Sequence, residues 1–248
     1  MDIQEQRKKQ RVRYGKYLHF AKFIIRLFLP KMKVVGLENL GPAPGIFISR
    51  HKDTFGPMCA IVFLPVHLRI WVLHKLASYS EALEHYTTYT FRQRHGWPRF
   101  FAKIGGWVMT VVCVPLMKSL EAIPVYRGQK DILMTFKQSI QALDQGDNLL
   151  IMPEIDYLNT MDASGDLYNG FTHIVQLYYS LRKKIIPLYP LYPSRENKTL
   201  YIGKPIFYDP KNGFRQERER ICALLKDALS GDPSSFGIPA RGEGVELR

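Results

Sequence analysis

Residues 122–152 read AIPVYRGQKDILMTFKQSIQALDQGDNLLIM, and the fold follows from how this stretch divides. Residues 122–126 and 148–152 are short apolar runs of strand length. Between them, residues 130–145 carry Ile132, Leu133, Phe136, Ile140 and Leu143 at helical spacing, and Gly146 supplies the C-terminal stop. The stretch is a strand–helix–strand unit, and a right-handed crossover predicts two parallel, neighbouring strands.

The same alternation continues on both sides. Residues 45–49 (GIFIS) follow the turn-rich 41–44 and read as a buried strand. Residues 68–73, 185–191 and 199–202 read as further strands, and residues 78–94, 98–114, 170–181 and 217–229 as helices. This pattern predicts a single α/β domain over residues 34–229, with a largely parallel central sheet flanked by helices. Residues 230–248, poor in apolar side chains, read as a flexible tail, and no internal repeat or linker divides the domain.

Of the 248 residues, 46% are hydrophobic and 23% charged, which suits a packed core and excludes a disordered chain. The formal charge of +13 points to an anionic partner: nucleic acid, an acidic lipid surface or a phosphorylated substrate. Arg and aromatic residues form no recognisable RNA- or DNA-binding motif, so no nucleic acid is expected. The three cysteines, Cys59, Cys113 and Cys222, lie far apart and form no CxxC pair. They support neither a disulfide framework nor a thiolate zinc site, and a reducing setting fits them.

The basic excess is local. Residues 1–33 carry ten Lys or Arg against two acidic residues. At ~100° per residue, residues 14–29 place Tyr14, Tyr17, Leu18, Ala21, Ile24, Ile25 and Phe28 on one face, with His19, Lys22 and Arg26 opposite. Phe20, Phe23 and Leu27 fall outside that stripe and widen the apolar surface. Residues 1–33 thus read as a basic amphipathic segment that docks on its own domain, lies in a membrane interface, or does both. The longest uncharged stretches, 54–68 and 104–117, fall short of the ~20 apolar residues a spanning helix needs. With no signal-peptide pattern either, the expectation is a peripheral protein on the cytoplasmic face of a membrane, with no full transmembrane helix.

Ligands of open α/β sheets collect beyond the carboxyl ends of the strands. Three polar groups follow predicted strands here: Arg50-His51-Lys52-Asp53, Arg127-Gly128, and Glu154-Ile155-Asp156 behind Pro153. They combine a potential base, an anion clamp and an orienting carboxylate. Such a set suits transfer onto a hydroxyl, because a histidine near neutrality can remove the proton as the hydroxyl attacks. No GxSxG elbow, P-loop or GxGxxG is present. The spacing of His51 and Asp53 is too common to signal a metal, and none is expected.

The order and spacing of these groups resembles the glycerolipid acyltransferase superfamily, lysophosphatidic acid (1-acylglycerol-3-phosphate) acyltransferase type, over residues 32–205. Residues 34–40 (VVGLENL) look like its lead-in and residues 46–51 (IFISRH) like its histidine block. Residues 123–128 (IPVYRG) are similar to its arginine-glycine block, residues 146–154 (GDNLLIMPE) to its Pro-Glu block, and residues 185–188 (IIPL) to its last block, with Gly170 opening the helix between. The resemblance implies acyl transfer in phospholipid biosynthesis, from a thioester of coenzyme A or acyl carrier protein to a hydroxyl of a lysophospholipid such as 1-acylglycerol-3-phosphate, with no further cofactor. It implies His51 as base, Arg127 and Gly128 at the acceptor phosphate, and Glu154 shaping the acceptor site. A lipid-binding or regulatory member of the same fold with weakened catalysis is the alternative.

Two positions depart from that family's pattern. Four residues normally separate its histidine from an aspartate that orients the imidazole; here that position is Gly56. Asp53 can take over only if residues 51–53 are extended or in a turn, since residues two apart on a helix do not face each other. Asp53 is equally a helix N-cap candidate, and Asp156 is the other possible acid. The family's Pro-Glu is usually followed by Gly-Thr-Arg, whereas this chain has Ile155-Asp156-Tyr157, so one phosphate-binding arginine is missing.

Overall fold

Strands with apolar side chains on both faces need cover on both sides, and the runs GIFIS and NLLIM receive it. The computed structural model describes residues 16–42, 44–51, 55–126, 131–153 and 169–230. In chain order the elements are α1 (Lys16–Phe28), β1 (Lys33–Val35), β2 (Ile46–Ser49), α2 (Phe55–Phe63), β3 (Leu68–Leu73) and α3 (Tyr79–Glu84), which runs into a π-helix (His85–Arg94). There follow α4 (Arg99–Ser119), β4 (Ile123–Val125), α5 (Ile132–Asp144), β5 (Asn148–Ile151), α6 (Thr172–Arg182), β6 (Leu188–Ser194), β7 (Thr199–Ile202) and α7 (Phe214–Ala228).

The strands form one sheet in the order β1-β7-β6-β2-β5-β3-β4. β2 to β6 are mutually parallel, and β7 turns back antiparallel on β6 and carries β1. Phe47, Ile70, Leu150 and Leu191 point to a core shared with α1 and α2. Their neighbours Ile48, Trp71, Leu149 and Leu188 point to a core shared with α5, α6 and α7. The chain is a single α/β domain with helices on both faces of a mostly parallel sheet, as the alternation predicts. The expected tail falls on residues outside those described, apart from Ser230.

The strand–helix–strand unit departs from expectation in one respect: β4 and β5 are parallel but not neighbours, because β3 lies between them. β3 pairs with β5 through Leu68↔Asn148 and Ile70↔Leu150, and with β4 through Trp71↔Ile123. A helix ~10 Å across covers about two strand spacings of ~4.8 Å, so α5 can cross over an intervening strand. It does so with specific bonds: Ser139 Oγ accepts from Trp71 Nε1 (2.9 Å), and Thr135 Oγ1 donates to the Pro124 carbonyl (2.8 Å). This orientation leaves Leu133, expected on the buried face, exposed. At the opposite, amino edge, Arg69 from β3 pairs with the buried carboxylate of Asp147 (2.7 Å).

Three local readings change. α1 is rotated relative to the expected face: Leu18, Ile25 and the partly covered Lys22 turn inward, whereas Phe28 is 84% exposed. Burial lowers the Lys22 ammonium to about 8, with Arg26 adding repulsion. The helix expected over 78–94 is regular only to Glu84 and widens into the π-helix beyond it. α4 runs through Pro115 to Ser119 and reaches 21 residues, because its charged first turn and its proline are both helical. By length and composition it could cross a bilayer, which revises the expectation that no helix would be long enough.

Candidate active site

Because β2 to β6 run the same way, their carboxyl ends share one edge of the sheet. β2 ends at the buried Ser49 and is followed by half-buried Arg50 and His51. β5 lies directly beside it, in register from Ile46↔Leu149 to Ile48↔Ile151, so Met152 and Pro153 emerge next to the histidine segment. β4 ends three strand spacings from β2, roughly 14 Å away at ~4.8 Å per spacing. His51 falls within the described residues; Asp53, Arg127, Gly128, Glu154 and Asp156 lie outside them. The described strand ends that lead into Arg127 and Glu154 nonetheless open on the same edge as His51.

Glycine at position 56 has a structural basis. A Cβ on Gly56 would sit 2.1 Å from the Arg50 carbonyl oxygen and 3.4 Å from Ser49 Oγ. The first turn of α2 is pressed against the end of β2, and no side chain, least of all an orienting carboxylate, fits there without moving backbone. Position 56 is thus closed to a carboxylate side chain.

Two further groups stand at this edge that the sequence reading passed over. His74 follows β3 directly; its Nδ1 donates to the Val125 carbonyl (3.3 Å), and its ring stacks on Tyr126, the residue before Arg127. The strand over 68–73 was legible, so the rule that selected His51 also selects His74. Arg195 follows β6, the strand on the other side of β2, and its guanidinium lies 4.5 Å from the centre of the Phe55 ring. β6 runs three residues further than the predicted 185–191, past Pro193, and that hid Arg195 at its end. Proline normally argues against continuing a strand.

Burial disfavours the thiolate form of all three cysteines. Burial pushes the Cys59 thiol up to about 12, and desolvation also raises Cys113 and Cys222. Among the described residues no three His, Cys, Asp or Glu side chains converge as a metal site.

No family model and no curated protein matches the chain. Among solved structures it is similar to the 1-acyl-sn-glycerophosphate (LPA) acyltransferase PlsC from Thermotoga maritima, with 15% identity over 91% of this chain and 80% of that one, at a TM-score of 0.45.

Proposed function

We propose that this protein is a peripheral membrane O-acyltransferase that moves an acyl chain from a thioester of coenzyme A or acyl carrier protein to a hydroxyl of a lysophospholipid. One observation carries the reading: the strands that deliver the histidine block and the Pro-Glu block are adjacent and parallel, and the strand that delivers the arginine-glycine block opens on the same edge. The strand ends that lead into three motifs separated by up to about a hundred residues thereby open on the edge where an α/β sheet binds its ligands.

In this reading His51 accepts the proton of the acceptor hydroxyl as the oxygen attacks the thioester carbonyl. The tetrahedral intermediate collapses with cleavage of the C–S bond, and the imidazolium returns the proton to the departing thiolate. Arg127 and Gly128 hold the acceptor phosphate and Glu154 shapes its site. Asp53 or Asp156 orients His51, since residue 56 has no room for the task. The basic, apolar α1 holds the protein at the cytoplasmic membrane surface, where the acceptor resides.

An acyl-transfer assay with a panel of lysophospholipids and both donor classes tests the proposal. Transfer that His51→Ala abolishes in a folded protein supports it. Absence of transfer to every acceptor, with lysolipid binding retained, supports instead a lipid-binding or regulatory protein, the reading that the closed position at Gly56 favours.

A further inference from the structure

The crossover between β3 and β4 is a helical hairpin: α3 and the π-helix lead out and α4 leads back. Its seam is built for close approach. A Cβ on Gly106 would meet Thr87 Oγ1 at 2.2 Å, and one on Gly105 would meet the rings of Phe91 and Trp97. Ala102, Gly106, Thr110 and Val114, spaced four apart, are the buried stripe of α4 and tie it inward over most of its length.

The other side of α4 is apolar and open. Phe100 (69% exposed), Ile104, Trp107 (60%), Val108, Val111 and Val112 lie on it. α1 packs alongside, Tyr17 donating its hydroxyl to the Val112 carbonyl (3.0 Å), and adds exposed Phe20, Phe23 and Leu27. The outgoing arm of the hairpin is more polar, with Glu81, Glu84, Thr88 and Arg92 exposed beside Tyr79 and Leu83. From residue 85 to residue 120 there is no acidic side chain, but there are five basic ones, of which Arg92, Arg94 and Arg99 stand exposed around Trp97 at the hairpin tip.

We infer that this hairpin is a second membrane-docking element, lying in the interface of an anionic bilayer with the outer face of α4 turned to lipid. The inference rests on the membrane-surface part of the proposed function and extends it from α1 to the β3–β4 crossover in the middle of the domain. Charge selects the occupant: an apolar face ending in arginines and a tryptophan, with no acid, matches acyl chains bordered by anionic headgroups. The inward stripe of α4 and the polar outgoing arm place the hairpin in the membrane plane, because a spanning helix would bring both into the hydrocarbon.

The test uses the full chain carrying Trp97→Phe, which leaves Trp107 as the exposed reporter beside the buried Trp71. Vesicles of phosphatidylcholine with one-third phosphatidylglycerol, with and without bromine on the acyl chains, are titrated in. The expected result is a blue shift and bromine-dependent quenching that a Trp107→Phe control lacks. Reversing Arg92, Arg94 and Arg99 to Glu should weaken vesicle binding roughly tenfold or more at low salt, and the difference should shrink at high salt. Vesicle binding with Trp107 unquenched overturns the inference and leaves docking through α1 intact. A blue shift that tracks protein concentration without lipid overturns it in favour of a second copy of the chain. No vesicle binding at all removes both membrane assignments, while acyl transfer to detergent-dispersed acceptor is judged separately.

Discussion

The rings of His74 and Tyr126 stack with centroids 5.0 Å apart and planes 21° from parallel, joining the end of β3 to the end of β4 immediately before Arg127. The carbonyl of Val125 can only accept, so His74 Nδ1 is the donor of their 3.3 Å bond. In the proposed enzyme His74 is a positioning residue. His74→Phe keeps a ring on Tyr126 and loses the bond, which typically contributes about 0.5–1.5 kcal/mol. It should raise the Michaelis constant for the lysophospholipid by about two- to tenfold and leave that for the thioester unchanged. His74→Ala should act more strongly in the same direction, and equal shifts for both substrates count against the role.

His51 is expected to carry general-base catalysis, worth ~10²–10⁴-fold in rate. His51→Ala should reduce turnover by that order without changing the unfolding temperature appreciably. Gly56→Asp, which restores the family's spacing on paper, should not increase turnover. Overpacking costs about 1–3 kcal/mol, and ~2–4 °C accompanies each kcal/mol in a domain of this size, so its melting temperature should fall by roughly 2–12 °C. A stable, more active Gly56→Asp enzyme refutes the closed-position account.

Arg195 brings a cation to the edge where β6 ends, while the sequence after Pro153-Glu154 continues Ile155-Asp156-Tyr157 without an arginine. A charge-assisted bond to phosphate is worth about 1.5–3 kcal/mol, against about 0.5–1 kcal/mol for an exposed stack on an aromatic ring. If Arg195 meets the acceptor, Arg195→Leu should raise the acceptor Michaelis constant by roughly tenfold or more. An effect confined to thermal stability assigns it to the Phe55 stack alone.

Glu217 locks the start of α7. Its buried carboxylate accepts from Arg220, from Asn212 Nδ2 (3.0 Å) and from the Asp209 amide (2.9 Å), and Arg220 above all holds it down to about 2. Because the native value lies below the unfolded one of ~4.3, the stabilisation is present above pH ~4.3 and is lost as pH falls toward 2. With Arg220 partly open to solvent the effect is about 1–3 kcal/mol. Glu217→Gln should be less stable than the parent by that amount at pH 6 in urea unfolding, and the gap should shrink steadily below pH ~4.3 and vanish only as pH falls through about 2.

The sheet was legible because its strands, covered on both faces, spell continuous apolar runs such as GIFIS and NLLIM. Strand order was not, since nothing in residues 122–152 says that β3 will pair with both ends of the unit. β6 was cut short by Pro193, and Lys22 was assigned to solvent because a charge on a periodic helix normally goes there. A methylene stem long enough to run along apolar surface explains why it need not. His51 stood out in the sequence because it follows a recognisable strand. Gly56 declared a missing carboxylate, but only the approach of the Arg50 carbonyl shows that the vacancy is enforced by backbone.

β1 pairs with β7 through Lys33↔Thr199, and Asn39 ties the same edge down by donating to the Ile202 carbonyl. These partners are more than 160 residues apart in the chain. At ~5–20 residues per second, a ribosome needs roughly 8–30 s after making β1 before β7 exists to receive it. The edge strand that follows α1 is therefore among the first parts of the sheet to be synthesised and among the last that can be paired.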